Sequence, residues 1–108
     1  MNNKVKEVYN QMFYSNYNNH DNFASKSLFE VIDRGINLMS TNVDNNLLQA
    51  WQDYAMSVLN MISNRYGLSV YSYYLQFRLS ITHLTPYEQL KLSIQELLNI
   101  SKSLPRGI

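Results

Sequence analysis

The chain has 108 residues, a formal net charge of +1 and no cysteine. That length supports one domain, spanning 1–108, with room for one real core. The near-neutral balance disfavours a strongly electrostatic nucleic-acid or membrane-surface binder, and the missing thiols exclude disulfide scaffolds, cysteine nucleophiles and thiolate metal sites.

Hydrophobic residues make up 45% and charged residues 16%, a globular rather than a disordered balance. Asn (14), Leu (14) and Tyr (9) are abundant, while Ala and Gly number 3 each. Asn and Tyr have AT-rich codons, so a low-GC bacterium, a phage or another mobile element is the expected source. The opening residues Met1-Asn2-Asn3-Lys4 lack the apolar stretch of a signal peptide. No apolar run approaches the roughly 18 residues that span a bilayer. The cytoplasm is the expected location, with no membrane partner.

Within residues 4–14, Val5, Val8, Tyr9, Met12 and Phe13 recur at helical spacing. The run Asn16 to Asn22 breaks that pattern, because Asn and Asp side chains compete with the helix ladder. A second helix is expected to begin near Ser25–Ser27, with Ser27 and Glu30 at capping-box spacing. Its apolar stripe is Leu28, Val31, Ile32, Ile36 and Met39. Gly35 lies on the same face, implying either a closely approaching neighbour or a kink. Ser40-Thr41-Asn42 ends the helix.

Asp44 is the expected N-cap of a third helix. Leu47, Leu48, Trp51, Tyr54, Ala55, Val58, Leu59, Ile62 and Tyr66 form its stripe, and Gln49, Gln52, Asp53, Asn60 and Asn64 fill the other side. Gly67 stands where a left-handed C-terminal cap is expected. This long helix, 44–66, is expected at the centre of the core.

Residues 69–84 carry two periodicities. With period two, Tyr71, Tyr73, Leu75, Phe77, Leu79 and Ile81 alternate with polar residues, a strand pattern. With period 3.6, Val70, Tyr74, Phe77, Ile81 and Leu84 oppose a polar stripe of Ser69, Ser72, Gln76, Ser80 and His83. No other segment offers a strand partner, so a helix is preferred. The alternative is a strand at 70–82 paired between subunits. The last helix opens on Thr85-Pro86-Tyr87-Glu88, with a cap, a proline at the first helical position and a capping-box glutamate. Tyr87, Leu90, Ile94, Leu97 and Leu98 make its stripe, Leu92 and Ile100 widen it, and Leu104-Pro105-Arg106-Gly107 stops it. The expected fold is all-α, a compact bundle of four to five helices.

The chemistry on offer is sparse. Arg78-Leu79-Ser80-Ile81-Thr82-His83 resembles the Arg-x4-6-His signature of the HEPN ribonuclease superfamily, whose members are compact helical domains. In that family, arginine and histidine from two paired domains meet around an RNA phosphate. The resemblance implies phosphate binding by Arg78, proton transfer by His83 and no metal. It covers six residues and fixes two, and Leu79 stands where the family often has a polar residue. The competing reading is a surface arginine and a helix-terminal histidine, and it is preferred.

No metal site or cofactor is expected: His20 and His83 are the only histidines and lie far apart in sequence. No Gly-rich phosphate loop is possible with Gly35, Gly67 and Gly107 so dispersed, and no serine-nucleophile motif occurs. The nine Lys and Arg residues are scattered, which disfavours nucleic acid as a partner.

Aromatic content is the more usable signal. Tyr71, Tyr73 and Tyr74 cannot all face one core from a helix. Tyrosine suits surfaces that are half dry and half wet. Leu79, Leu92 and Ile100 also fall off the main stripes, and a second apolar face implies a second neighbour. The resulting expectation is a small non-enzymatic protein-interaction module, a regulator or inhibitor of the anti-defence kind. It would form a homodimer and bind another protein through Tyr71, Tyr73, Tyr74, Leu79, Leu92 and Ile100. The alternatives are the HEPN-like ribonuclease and a weak nucleic-acid-binding regulator.

Overall fold

A computed structural model describes residues 22–108. The helix expected over 4–14 and the polar run after it, apart from Asn22, lie outside the described residues, as does His20. Four helices follow: α1 (Phe23–Met39), α2 (Asn45–Tyr66), α3 (Val70–Ser80) and α4 (Pro86–Ser103). The described residues contain no strand, so the intersubunit-strand alternative for 70–82 is overturned. Helical periodicity prevails there because Tyr74 and Ile81 enter the core, while Ser72, Gln76, Ser80 and His83 remain exposed.

Connections of a few residues fold each helix back on its predecessor, as short loops require. Both α2 and α4 touch all three other described helices, whereas α1 and α3 do not touch each other. The expected central helix, α2, is the longest at 22 residues, but it shares the middle of the bundle with α4. The Cα atoms span 38 × 29 × 17 Å, so the short axis holds two layers of helices at the usual 8–10 Å spacing.

Local chemistry explains most of the boundaries. Asp44 caps α2, its carboxylate accepting from the Leu47 amide at 2.8 Å. Gly67 closes α2 with φ +66°, and its amide donates to Ser63 O. The next amide, of Leu68, also donates to Ser63 O at 3.1 Å. The Ser63 hydroxyl accepts from the Tyr71 amide at 3.0 Å, which ties the first turn of α3 to the last of α2. Thr85 caps α4 by accepting from the Glu88 amide at 3.2 Å. Its hydroxyl donates to the Glu88 carboxylate at 2.9 Å, a variation on the expected capping box.

The capping box expected at Ser27 and Glu30 does not form. The first helix starts earlier, at Phe23, which places Ser27 inside it. The amides of Asn22 and Ser25 donate to Gly107 O at 3.3 Å and Ile108 O at 2.9 Å. The C-terminal strap therefore supplies acceptors that a side chain was expected to supply.

The core joins Leu28, Val31, Ile32 and Ile36 of α1 to Trp51, Ala55, Leu59 and Ile62 of α2 and to Leu90, Ile94 and Leu97 of α4. Gly35 resolves the choice between kink and close approach. A Cβ built on it would lie 2.8 Å from Trp51 Cζ2 and 3.0 Å from Ile94 Cγ1. The Trp51 indole lies against this gap and donates to Val31 O at 2.9 Å, so its one polar atom is satisfied inside the core.

Candidate functional site

The expected contact residues separate into two groups. Tyr74 is fully buried and Ile100 nearly so, which removes both from any surface. Their partner is the chain itself: Tyr74 enters the core, and Ile100 lines a groove with Leu68, Val70 and Tyr73. Ile100 thus has a second neighbour within the chain, and that neighbour is α3. Tyr71 and Leu92 are half-buried. Tyr73 and Leu79 point outward, 57% and 62% exposed.

Three further side chains depart from the expected faces. Tyr87 is 46% exposed although it belongs to the predicted stripe. Helical side chains lean toward the N-terminus, so one in the first turn projects past the helix end. Leu47 is 42% exposed while Gln52 is buried. The inward stripe of α2 runs through Leu48, Gln52, Ala55, Leu59 and Ile62, one step round from the reading that placed Gln52 outside.

Two concave regions flank α3. The first, of about 440 Å³, lies between the start of α3 and the end of α4. Tyr73, Val70, Ile100 and Leu104 supply its apolar walls, and Glu96 its one ionisable side chain besides the phenol. A hydrogen bond to the Glu96 carboxylate, followed by its charge, holds the Tyr73 phenol above its ordinary pKa.

The second region is a notch of about 380 Å³ between the N-terminal half of α2 and the C-terminal half of α3. Leu48, Leu75 and Leu79 wall it, and Gln52, Arg78 and Gln89 supply its inner polar groups. The Arg78 side chain is only 18% exposed and meets Asp53 Oδ1 at 3.5 Å, the outer limit for such a contact. Asp53 is largely exposed and also accepts from Gln49 Nε2 at 2.9 Å. Gln52 is 3% exposed, and its Nε2 donates to nothing. Gln89 is committed to structure: its Nε2 donates to Leu84 O at 2.8 Å and Thr82 O at 3.4 Å, holding the turn before α4.

His83 does not join Arg78 in this notch. The helix ends at Ser80, and His83 stands exposed on the turn beyond it. Comparison with protein-family models, curated proteins and solved structures gives no match. Among the described residues, no helix is long and apolar enough to cross a membrane, and no cluster of three His, Asp or Glu side chains could hold a metal ion.

Deeper in, the Tyr74 hydroxyl is buried without a hydrogen-bond partner, as is the Ser93 hydroxyl. Burial pushes the Tyr74 phenol up to about 12. The nearby Ser93 hydroxyl and Arg78 charge pull weakly the other way, although no hydrogen bond of acceptable geometry joins the two hydroxyls. Sequence periodicity placed Tyr74 on the apolar stripe. Nothing in the local pattern marked Gln52, whose burial depends on how α3 and α4 settle against α2.

Proposed function

We propose that the chain is a non-enzymatic protein-interaction module whose contact surface is the outward face of α3. It acts as a small regulator or inhibitor by binding another protein, and it pairs with a second copy of itself. One observation carries this reading. Helix α3 keeps a single buried side chain, Tyr74, while Tyr73 and Leu79 on the same helix stay more than half exposed. A helix held on one side that exposes two large apolar side chains among Ser72, Gln76 and Ser80 on the other has surface for a further neighbour. A net charge of +1 adds little self-repulsion between copies.

The test is a paired substitution, Tyr73→Ser with Leu79→Ser, read by sedimentation velocity. The expected result is a wild-type dimer that the variant converts to a cooperatively folded monomer, because both side chains are exposed in the single subunit, and the concentration dependence of the thermal midpoint disappears with the dimer. The same variant fails to retain proteins that the wild type captures from host lysate. A wild type that stays monomeric at high concentration, with captured proteins identical for both forms, defeats the proposal. The ribonuclease alternative gains no support: Arg78 already faces Asp53, and His83 lies outside the notch.

A further inference from the structure

We propose that the notch between α2 and α3 is a binding site for an aliphatic carboxylate, gripped by the Arg78 guanidinium and the Gln52 amide. The inference goes beyond the docking reading above and does not rest on it.

Donors exceed acceptors at this site. Arg78 carries five N–H groups, and among the described residues its one acceptor is a loose 3.5 Å contact to an exposed carboxylate. Gln52 adds an amide nitrogen that is buried without a partner. An orphaned buried donor is rare in folded proteins, because its desolvation goes uncompensated. The terminal amide torsion is broad and roughly two-fold, so a half-turn exchanges nitrogen and oxygen at the floor of the notch. The acceptor that this pair lacks is an oxyanion, and a planar carboxylate matches the guanidinium fork.

The walls select the rest of the ligand. Leu48, Leu75 and Leu79 offer aliphatic surface on both sides, and Leu79 is exposed enough to fold over a bound group. Among the described residues, Arg78 is the only cation lining the notch. A sugar–phosphate strand is held by several cations along its backbone, so this site fits a lone carboxylate on a branched alkyl group better. Asp53 acts as a resident counter-ion that the ligand carboxylate displaces.

Titration of the ¹⁵N-labelled protein with N-acetyl-leucine, followed by NMR, tests this directly. N-acetyl-leucine is expected to shift the Arg78 Nε–H and Gln52 side-chain signals saturably, whereas N-acetyl-leucinamide leaves them in place. Asp53→Asn is expected to tighten binding about two- to fivefold, the equivalent of one exposed ion pair. Gln52→Met is expected to weaken binding about threefold or more, through one lost charge-assisted donor, while leaving the thermal midpoint equal or higher. Arg78→Lys keeps the charge and weakens binding through the lost fork, and it guards against misfolding of Arg78→Met. A tetrapeptide ending in leucine that binds more tightly than N-acetyl-leucine assigns the site to a chain terminus, and equal affinity assigns it to a free small acid. Equal shifts from the amide, equal affinity for inorganic phosphate, or unaltered binding by Arg78→Lys would each overturn the proposal.

Discussion

The packing at Gly35 permits a prediction in which two effects of opposite sign compete. Alanine in place of glycine in a helix interior ordinarily stabilises by about 1 kcal/mol. Here the new methyl would stand 2.8 Å from Trp51 Cζ2, 2.9 Å from Cε2 and 3.0 Å from Ile94 Cγ1. Carbon atoms in contact prefer about 3.5–4.0 Å, so the indole must retreat by roughly 0.7 Å. Overpacking of this kind costs about 1–3 kcal/mol. The retreat also strains the buried bond from Trp51 Nε1 to Val31 O, worth about 1 kcal/mol. The penalty outweighs the propensity gain, and Gly35→Ala is expected to destabilise by about 1–3 kcal/mol. In a domain of this size that lowers the thermal midpoint by roughly 5–15 °C.

Trp51 is the only tryptophan, so its fluorescence reports the displacement without a label. Native emission is expected to shift to the red in Gly35→Ala, and urea unfolding to give the energy. In a Trp51→Leu background the penalty should shrink or reverse, with a coupling of about 1–2 kcal/mol between the two positions. A variant that gains about 1 kcal/mol of stability with native emission unchanged would refute the close approach of α1 to α2 and α4.

Further outcomes follow from buried hydroxyls and caps. The Tyr74 phenol ionises near pH 10 in the unfolded chain and at about 12 in the folded one. The unfolded chain therefore releases its proton first, and stability present below pH 10 is lost as pH rises toward 12. The loss is about 2–3 kcal/mol. Alkaline unfolding with tyrosinate absorbance should show a late-titrating phenol that Tyr74→Phe removes, and an unaltered titration in that variant would count against the assignment. Asp44→Ala should lower stability by about 1 kcal/mol in urea unfolding, through loss of the bond to the Leu47 amide. An equal midpoint for that variant would mean that solvent replaces the cap.

Much of this architecture is written into local signals. Asp44, Gly67 and Thr85-Pro86 mark helix ends because each acts on amides or carbonyls within four residues of itself. The helical stripe holds over 70–80, where Val70, Tyr74 and Phe77 end at least half-buried, whereas Ile81 and Leu84 lie on the turn beyond Ser80. Long-range features were not legible. The start of α1 is set by carbonyls about eighty residues away in sequence, at Gly107 and Ile108, and no pattern near Ser27 could have indicated them. The burial of Gln52 has the same origin. A stripe fixes a helical face only to within one residue step of about 100°, and the packing of α3 and α4 against α2 decides which residue leads. The expected contact set failed at Tyr74 and Ile100 for a related reason. Tyr74 lies on the apolar stripe of α3 and is spent on the core, and Ile100, off the main stripe of α4, borders α3 rather than an external neighbour.

What remains outside that cover bears on how a second copy could bind. Full burial of a large apolar side chain contributes about 1.5–3 kcal/mol, and Tyr73 and Leu79 have roughly half of theirs left to bury. Four such side chains in a symmetric pair contribute about 3–6 kcal/mol. Association costs at least about 4 kcal/mol in lost freedom, so these residues alone leave almost no net affinity. A stable interface must therefore draw in neighbouring surface, to the usual 800 Å² or so per partner. The groove beside Tyr73 and the notch beside Leu79 are the adjoining concave surfaces that could supply it. They sit at opposite ends of an 11-residue helix about 16 Å long. A partner that covers both ends must lie along α3, whereas one that inserts at the notch alone depends on Arg78 and Gln52. Leu79→Ser weakens both arrangements, but Tyr73→Ser weakens only the first, so the two single substitutions measured side by side distinguish them.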